Sequence, residues 1–243
     1  MPRGLGLAFC VMLAAGLSWS GQVLVSAQPD DPERHAAGEH LYRRDCASCH
    51  GPAGEGTRRG VPLTDAGEAS ADFYLTTGRM PIADPHQEVR RRDAAYGERE
   101  IAALVAFVGS LGSGPPIPDV TGHGDVAAGG SLYRLHCAQC HGSTGVGVAL
   151  AAGVTAPSVL VSTPTQVAEA LVVGPGAMPV FTPVVLDDEE TGAVVAYVEA
   201  LRSGPDRGGN PMARSGRLDE MLVAWGVGTV LMLAVARTIA RRR

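Results

Sequence analysis

Two stretches of the chain place apolar residues along one face of a helix. In residues 100–108 and 190–198 the apolar positions recur at intervals of three and four. Because a helix turns once in about 3.6 residues, this spacing predicts two amphipathic helices, each burying one side. Signals for the start of a helix also occur well before each of these stretches. Asp31 lies directly before Pro32, and Asp125 begins a similar segment. We therefore predict a second pair of helices beginning at these residues.

A longer apolar run occupies the beginning of the chain. Residues 4–27 carry no charge and end in Val25-Ser26-Ala27, a small-residue pattern that signal peptidase accepts. The run is also long enough to cross a membrane if it is not removed. We predict that residues 1–27 are an export signal peptide or, uncleaved, an N-terminal transmembrane helix.

A second apolar run lies near the other end. Residues 221–236 are uncharged, and the run extends to Ala240 if Arg237 reaches the membrane interface. We predict a transmembrane helix over residues 221–240, with a buried core helix as the alternative. The arginines at 237 and 241–243 place this end in the cytoplasm by the positive-inside rule.

One five-residue pattern occurs twice, as Cys46-Ala47-Ser48-Cys49-His50 and Cys137-Ala138-Gln139-Cys140-His141. The same offset of 91 residues aligns Leu41-Tyr42-Arg43 with Leu132-Tyr133-Arg134, and Gly38 with Gly129. The chain therefore contains an internal duplication.

The repeated pattern is the attachment sequence for a covalent haem. Two thiols at this spacing each add to one vinyl group, and the adjacent histidine becomes the proximal iron ligand. Zinc is less favoured because the two cysteine pairs are far apart and each is followed directly by His. A thioredoxin-like redox pair is less favoured because neither site lies in a strand and helix of that fold. We predict two covalently bound haem c groups, attached to Cys46, Cys49, Cys137 and Cys140, with iron ligands His50 and His141.

Each unit also contains one methionine followed by proline. Met80 and Met178 lie 30 and 37 residues after the haem histidines. A thioether on a loop can bind iron from the face opposite histidine, although methionine is more often core filler. We predict that both are sixth ligands. Near Pro62 and Pro157 a backbone carbonyl could accept from the second imidazole nitrogen, or the prolines could simply form turns.

The elements predicted above are all helices, so we expect an all-α protein, and the composition predicts that its loops are plentiful. Gly and Pro together make 49 of 243 residues, aromatic residues make 5%, and the length suits two small domains. A haem would supply part of the core in each domain. The predicted divisions are 31–111 for domain 1, 112–124 for a Gly/Pro linker, 125–202 for domain 2 and 203–220 for a second linker.

The net charge of −5 argues against nucleic acid as a partner. Residues 119–204 carry eight acids against two arginines, so the second domain is the more acidic one. This surface suits a basic protein partner, although acidic surfaces are more often simply solvated. Arg90, Arg91 and Arg92 lie among acidic residues, and we expect a solvated loop there.

These motifs resemble two tandem class I cytochrome c domains, and specifically the dihaem cytochrome c subunit of the actinobacterial menaquinol-oxidising cytochrome bcc complex. The resemblance covers about residues 36–240, and its most specific parts are 41–51, 77–81, 114–118, 130–141, 174–179 and the C-terminal anchor. It implies that Gly38 and Tyr42 cross Leu104 and Phe107 where the terminal helices pack, and that Gly129 and Tyr133 cross Val194 and Tyr197 in the same way.

The resemblance also implies a function. Such a subunit takes electrons from a Rieske iron-sulfur subunit beside cytochrome b and passes them to a haem-copper oxidase. It would be part of a quinol:cytochrome c oxidoreductase, a translocase of the cell membrane, with its haem domains on the extracytoplasmic side and no substrate site of its own. Two alternatives are a dihaem peroxidase, which needs an open haem face, and a membrane-anchored cytochrome that serves a dehydrogenase.

Overall fold

The structure is a computed structural model that describes residues 31–87, 89–120, 124–204 and 217–241. The predicted export segment 1–27 and most of the linker 203–220 lie outside these residues. The described chain is predominantly helical, which confirms the all-α prediction. Its helices are α1 Pro32–Asp45, α2 Ala47–His50, α3 Gly67–Thr76, α4 Glu98–Gly109, α5 Val126–His136, α6 Ala138–His141, α7 Pro164–Val173, α8 Asp188–Ser203 and α9 Arg217–Ala240.

Within the described residues, regular structure outside these helices is limited to a short hairpin-like segment in the second domain. Strands β1 (Val148–Ala149) and β2 (Thr155–Ala156) pair antiparallel around a 3₁₀ turn at Ala151–Gly153. The first domain has loop at the corresponding place. The hairpin-like segment therefore accounts for part of the greater length between haem histidine and methionine in domain 2.

Domain 1 is built on the crossing of α1 and α4. A Cβ on Gly38 would overlap the carbonyl oxygen of Ala103, so the two backbones are in direct contact. Tyr42 is fully buried and packs on Phe107, with 5.0 Å between ring centroids. The expected crossing is confirmed, and the closest backbone approach falls at Ala103, one residue before Leu104. Close approach of this kind allows both helices to bury their apolar faces.

Domain 2 repeats this arrangement with α5 and α8. A Cβ on Gly129 would overlap the carbonyl oxygen of Ala193, and Tyr133 packs on Tyr197 at 5.3 Å between centroids. Helix α5 begins as expected, because the Asp125 carboxylate accepts from the backbone N–H groups of the first turn. The duplication inferred from sequence is thus a duplication of packing.

The helices that close the two domains, α4 and α8, begin with the same capping contact. The Glu100 carboxylate accepts from the N–H of Gly97 at 3.0 Å, and Glu190 accepts from the N–H of Asp187 at 3.1 Å. A glutamate three residues inside a helix satisfies a backbone donor that has no intrahelical acceptor. This contact explains the acid that begins each amphipathic stretch.

The two domains contact each other through α3 and α7. Gln166 on α7 donates to the Thr76 hydroxyl on α3 at 3.2 Å. The expectation of a solvated loop at residues 90–92 is wrong for Arg91, whose guanidinium donates to Gln166 Oε1 at 2.8 Å. Arg91 is half-buried because this contact ties the loop of domain 1 to domain 2, whereas Arg90 and Arg92 are exposed as expected.

Helix α9 has no buried residue along Met221–Ala240, whereas the longer helices of the two domains each bury one side. Residues Met221–Ala240 form a helix with mean hydropathy 1.8 and are fully exposed. At about 1.5 Å per residue, twenty residues span roughly 30 Å, the thickness of a bilayer core. The buried core helix considered as the alternative is therefore wrong, and α9 is a candidate membrane span.

Candidate haem sites

The first Cys-x-x-Cys-His sequence forms a single helical turn directly after α1. The N–H of His50 donates to the carbonyl of Cys46 at 2.9 Å, so the turn holds the histidine beside the two cysteines. The chain then reverses at Gly51, whose φ of +82° is accessible mainly to glycine. The buried hydroxyl of Tyr42 donates to the Gly51 carbonyl at 2.8 Å. The core of the helix crossing thus fixes the end of the haem motif.

The second motif has the same geometry. His141 N–H donates to the Cys137 carbonyl at 2.8 Å, and Gly142 has a φ of +75°. The hydroxyl of Tyr133 donates to the Gly142 carbonyl at 3.0 Å. Two segments with different flanking residues have therefore adopted the same local structure.

Both histidines use the same ring nitrogen for a protein contact. His50 Nδ1 lies 2.7 Å from the Val61 carbonyl, and His141 Nδ1 lies 2.9 Å from the Pro157 carbonyl. A carbonyl only accepts, so Nδ1 carries a proton in each ring, and in the neutral tautomer this leaves the Nε2 lone pair available. The expected carbonyl contact near Pro62 and Pro157 is confirmed, with Val61 as the acceptor in the first domain. An imidazole oriented in this way is suited to bind iron through Nε2.

The four cysteines of the two motifs form no disulfide with one another; Cys137 is buried, and Cys46, Cys49 and Cys140 are half-buried. Burial raises the pKa of Cys46 to about 11, with the nearby Asp45 as the next cause. Burial likewise raises the pKa of Cys137 to about 11. Among the described residues no group of three or more His, Cys, Asp or Glu side chains could hold a metal ion. The two cysteine pairs do not come together, which disfavours the zinc interpretation.

Met80 lies on a short loop that is anchored to α3. Its N–H donates to the Tyr74 carbonyl at 3.0 Å, and the Thr77 carbonyl accepts from the N–H of Arg92 at 3.1 Å. Gly78 has a φ of +61° and leaves no space for a Cβ beside the Arg92 carbonyl. The Met80 side chain packs against the domain 1 core.

Met178 lies in the corresponding place after α7. Gly174 ends the helix in the left-handed conformation, with a φ of +62°. The N–H of Phe181 then donates back to the Leu171 carbonyl at 2.8 Å. Met178 packs against a cluster that contains Leu171, Phe181 and Val194. Each methionine is therefore held on a loop of the same domain as its predicted histidine.

Arg79 is a residue that the sequence analysis did not select as a site residue. Its guanidinium stacks over the Phe73 ring at 4.9 Å, and its Nη1 is buried with no hydrogen-bond partner among the described residues. Burial, and then the charge of Arg91, lower the pKa of Arg79. An unpaired buried donor beside Met80 fits an anionic group such as a haem propionate. Its position directly before the methionine was the available signal.

Comparison with known proteins agrees with this geometry. Residues 35–112 match the family described as cytochrome c, and residues 124–198 match the family described as cytochrome C oxidase, cbb3-type, subunit III. These matches, together with the two attachment motifs, define the class of protein. The chain is a c-type cytochrome, which transfers electrons through covalently attached haem.

Longer relatives identify the family. The cytochrome bc1 complex cytochrome c subunit of Corynebacterium efficiens is 31% identical over 100% of this chain and 88% of its own length. The subunit of the same name from Mycobacterium tuberculosis is 33% identical over 95% of this chain and 85% of its own. The cbb3-type cytochrome c oxidase subunit CcoP of Azospirillum matches 49% of this chain at 33% identity. The chain belongs to the family of cytochrome c subunits of the cytochrome bc1 complex.

Proposed function

We propose that this chain is the dihaem electron-transfer subunit of a menaquinol-oxidising cytochrome bc1-type complex. It takes electrons from a Rieske iron-sulfur subunit, beside cytochrome b, and passes them to a haem-copper oxidase. The observation that carries the proposal is the pair of matched histidines, His50 and His141, each holding its Nδ1 proton on a carbonyl. Full-length similarity to subunits of bc1 complexes supports the assignment to that complex.

The residues of this chain have separate tasks at each site. In domain 1, Cys46 and Cys49 would attach the haem, and His50 and Met80 would bind its iron. In domain 2, Cys137 and Cys140 would attach it, and His141 and Met178 would bind its iron. Haem iron with these ligands accepts and releases one electron, and thioether ligation favours the ferrous form. Met80 and Met178 are half-buried against the cores of their domains, and a thioether bound to iron would favour electron transfer over ligand chemistry.

This assignment of both axial positions disfavours the peroxidase alternative, because a peroxidase requires a haem face open to its substrate. The dehydrogenase alternative differs only in the partner of the chain. Similarity of half of the chain to a cbb3-type oxidase subunit supports a partner on the oxidase side. The membrane is the site of assembly, since α9 is exposed and apolar over 20 residues. Arginines at its C-terminal end, Arg237 and Arg241–Arg243, favour a cytoplasmic C-terminus and extracytoplasmic haem domains.

Purification from the native membrane in a mild detergent tests the proposal. An affinity tag on this chain should recover cytochrome b and a Rieske protein in constant proportion, and haem analysis should give two haem c per chain. Menaquinol should then reduce the haem c of the purified complex. Recovery of a dehydrogenase in place of cytochrome b would show that the assignment to a bc1-type complex is wrong.

A further inference from the structure

The contact between α3 and α7 contains a pair of carboxyl groups that the electron-transfer assignment does not use. Thr76 pairs with Gln166, and Asp72, one turn earlier on α3, lies opposite Glu169, almost one turn later on α7. The two helices therefore run antiparallel, with their polar positions facing each other. Since α3 belongs to domain 1 and α7 to domain 2, this contact joins the domains.

Glu169 is the unusual member of this contact. Its side chain is completely buried, and neither carboxylate oxygen accepts a hydrogen bond from any described residue. The Asp72 carboxyl is the group within hydrogen-bonding reach of it. If both carboxyl groups were ionised, no proton would lie between them and their negative charges would repel each other. If one carboxyl is protonated and donates to the other, the repulsion is removed and one of the two unsatisfied Glu169 oxygens gains a hydrogen bond.

Three charged side chains that the structure describes on neighbouring elements have contacts away from this pair. Arg91 from the domain 1 loop is directed to Gln166, one turn away. Arg202 on α8 donates to the Ser162 carbonyl before α7 and pairs with Glu199. On α3, the other acid, Glu68, packs against Gly109 of α4. Among the described residues, Arg91 and Arg202 are thus engaged elsewhere, and a proton on one carboxyl would balance the charge of the pair.

We propose that Glu169 and Asp72 share one proton across the contact between the two haem domains, and that this proton holds the domains together. When the proton is lost, two negative charges face each other in a buried contact, so the domains separate. Docking of the two haem domains is thus controlled by pH.

The direction of the effect follows from proton linkage. Burial, and then Asp72, raise the pKa of Glu169 from its ordinary 4.5 to about 9 in the docked form. The docked form therefore binds one more proton than the separated form between these two values. Docking is strongest at low pH and weakens as pH rises through this window, by at most about tenfold in the docking equilibrium per pH unit.

Infrared spectroscopy of the full-length, haem-loaded chain in detergent tests the shared proton. A buried protonated carboxyl gives a C=O stretching band separate from those of carboxylates, and we expect such a band at pH 7. Glu169→Gln should remove it, and Asp72→Asn should move its titration to lower pH. The matched control is Glu189→Gln, because Glu189 is an exposed acid on α8. The haem absorption spectrum reports whether each variant is folded.

The separation of the domains is measured by pulsed spin-label spectroscopy on the same chain. Gadolinium labels on Ala102→Cys of α4 and Ala128→Cys of α5 report the distance, since both positions are exposed; Cys10 is replaced by Ser. The distance distribution should be narrow at pH 6 and broaden at pH 10, and it should stay narrow at both pH values in Glu169→Gln. Absence of the infrared band, for example because a bound cation balances the pair, overturns the proposal. The proposal is also overturned if the distance between the domains does not change with pH, or if it changes equally in wild type and in Glu169→Gln.

Discussion

At the scale of single residues, each predicted haem ligand is held by contacts of the backbone. The histidine rings are oriented by the carbonyls of Val61 and Pro157, and the Met80 loop is tied to the carbonyl of Tyr74. Backbone acceptors of this kind are preserved when side chains differ. This explains how two domains with little identical sequence outside the motif keep the same site.

Replacement of Met80 or Met178 by Ala tests the assignment of the sixth ligand. Loss of the thioether should convert one of the two haems from low spin to high spin and lower its reduction potential, because methionine stabilises ferrous iron. Visible absorption and a redox titration measure both effects. Met221→Ala, on the exposed face of α9, is the control and should leave both haems unchanged. A low-spin spectrum retained in Met80→Ala or Met178→Ala would show that the ligand assignment is wrong.

The buried tyrosines give a second prediction at this scale. Tyr42→Phe removes the donor to the Gly51 carbonyl and leaves that acceptor unsatisfied, so the free energy of unfolding should fall by about 1–3 kcal/mol. Burial raises the pKa of Tyr42 to about 12. The hydroxyl therefore makes its full contribution to the free energy of unfolding below pH 10, and that contribution is lost as pH rises through about 12. Guanidinium unfolding of wild type and variant between pH 7 and 11 measures this. Equal stability of both proteins at pH 7 would contradict it.

At the scale of elements, the crossing of the first and last helix of each domain depends on a glycine. Gly38 and Gly129 face backbone carbonyls, which cannot rotate away as a side chain can. A helix interior otherwise disfavours glycine by about 0.5–1 kcal/mol relative to alanine. The two glycines therefore serve close packing.

Gly38→Ala should destabilise domain 1 by about 1–3 kcal/mol, or more if the helices must separate, because the new methyl group overlaps the Ala103 carbonyl. The matched variant is Gly192→Ala on α8, where a Cβ meets nothing within 4 Å. That change should stabilise the protein by about 0.5–1 kcal/mol. Chemical unfolding of the haem-loaded chain compares the two. The packing argument fails if both variants shift stability in the same direction.

At the scale of the whole molecule, two haem domains and one apolar helix are joined in one chain. The domains contact through α3 and α7 with hydrogen bonds among Arg91, Gln166 and Thr76. The linker follows the surface of domain 1, where the Pro115 carbonyl accepts from the N–H of Ala69 at 3.1 Å. These contacts bring the two sites into one unit, which favours electron transfer between them.

The role of α9 as an anchor is tested by deletion. A chain whose residues 1–27 are replaced by a signal peptide known to be removed should remain in the membrane through α9. The same chain ending at Gly204 should be released into the soluble fraction with its haem spectrum unchanged, since α9 has no buried contact with the domains. Fractionation after a carbonate wash measures the distribution. Release of both chains would show that α9 does not anchor the protein.

The sequence by itself predicted the cofactor, the duplication, the first and last helix of each domain and the apolar helix α9. It did not predict α3 and α7, which lie in stretches where the sequence analysis expected loops. Attachment of haem needs only a local pattern of cysteine and histidine, and helix periodicity and caps are also local. All of these can therefore be recognised from residues that are close together in the sequence. The tertiary structure decided which carbonyl orients each histidine, that Arg91 bridges the domains, and that Glu169 faces Asp72. Those relations join residues far apart in the chain. They depend on how helices of two domains pack, and that packing is a property of the fold and not of any segment.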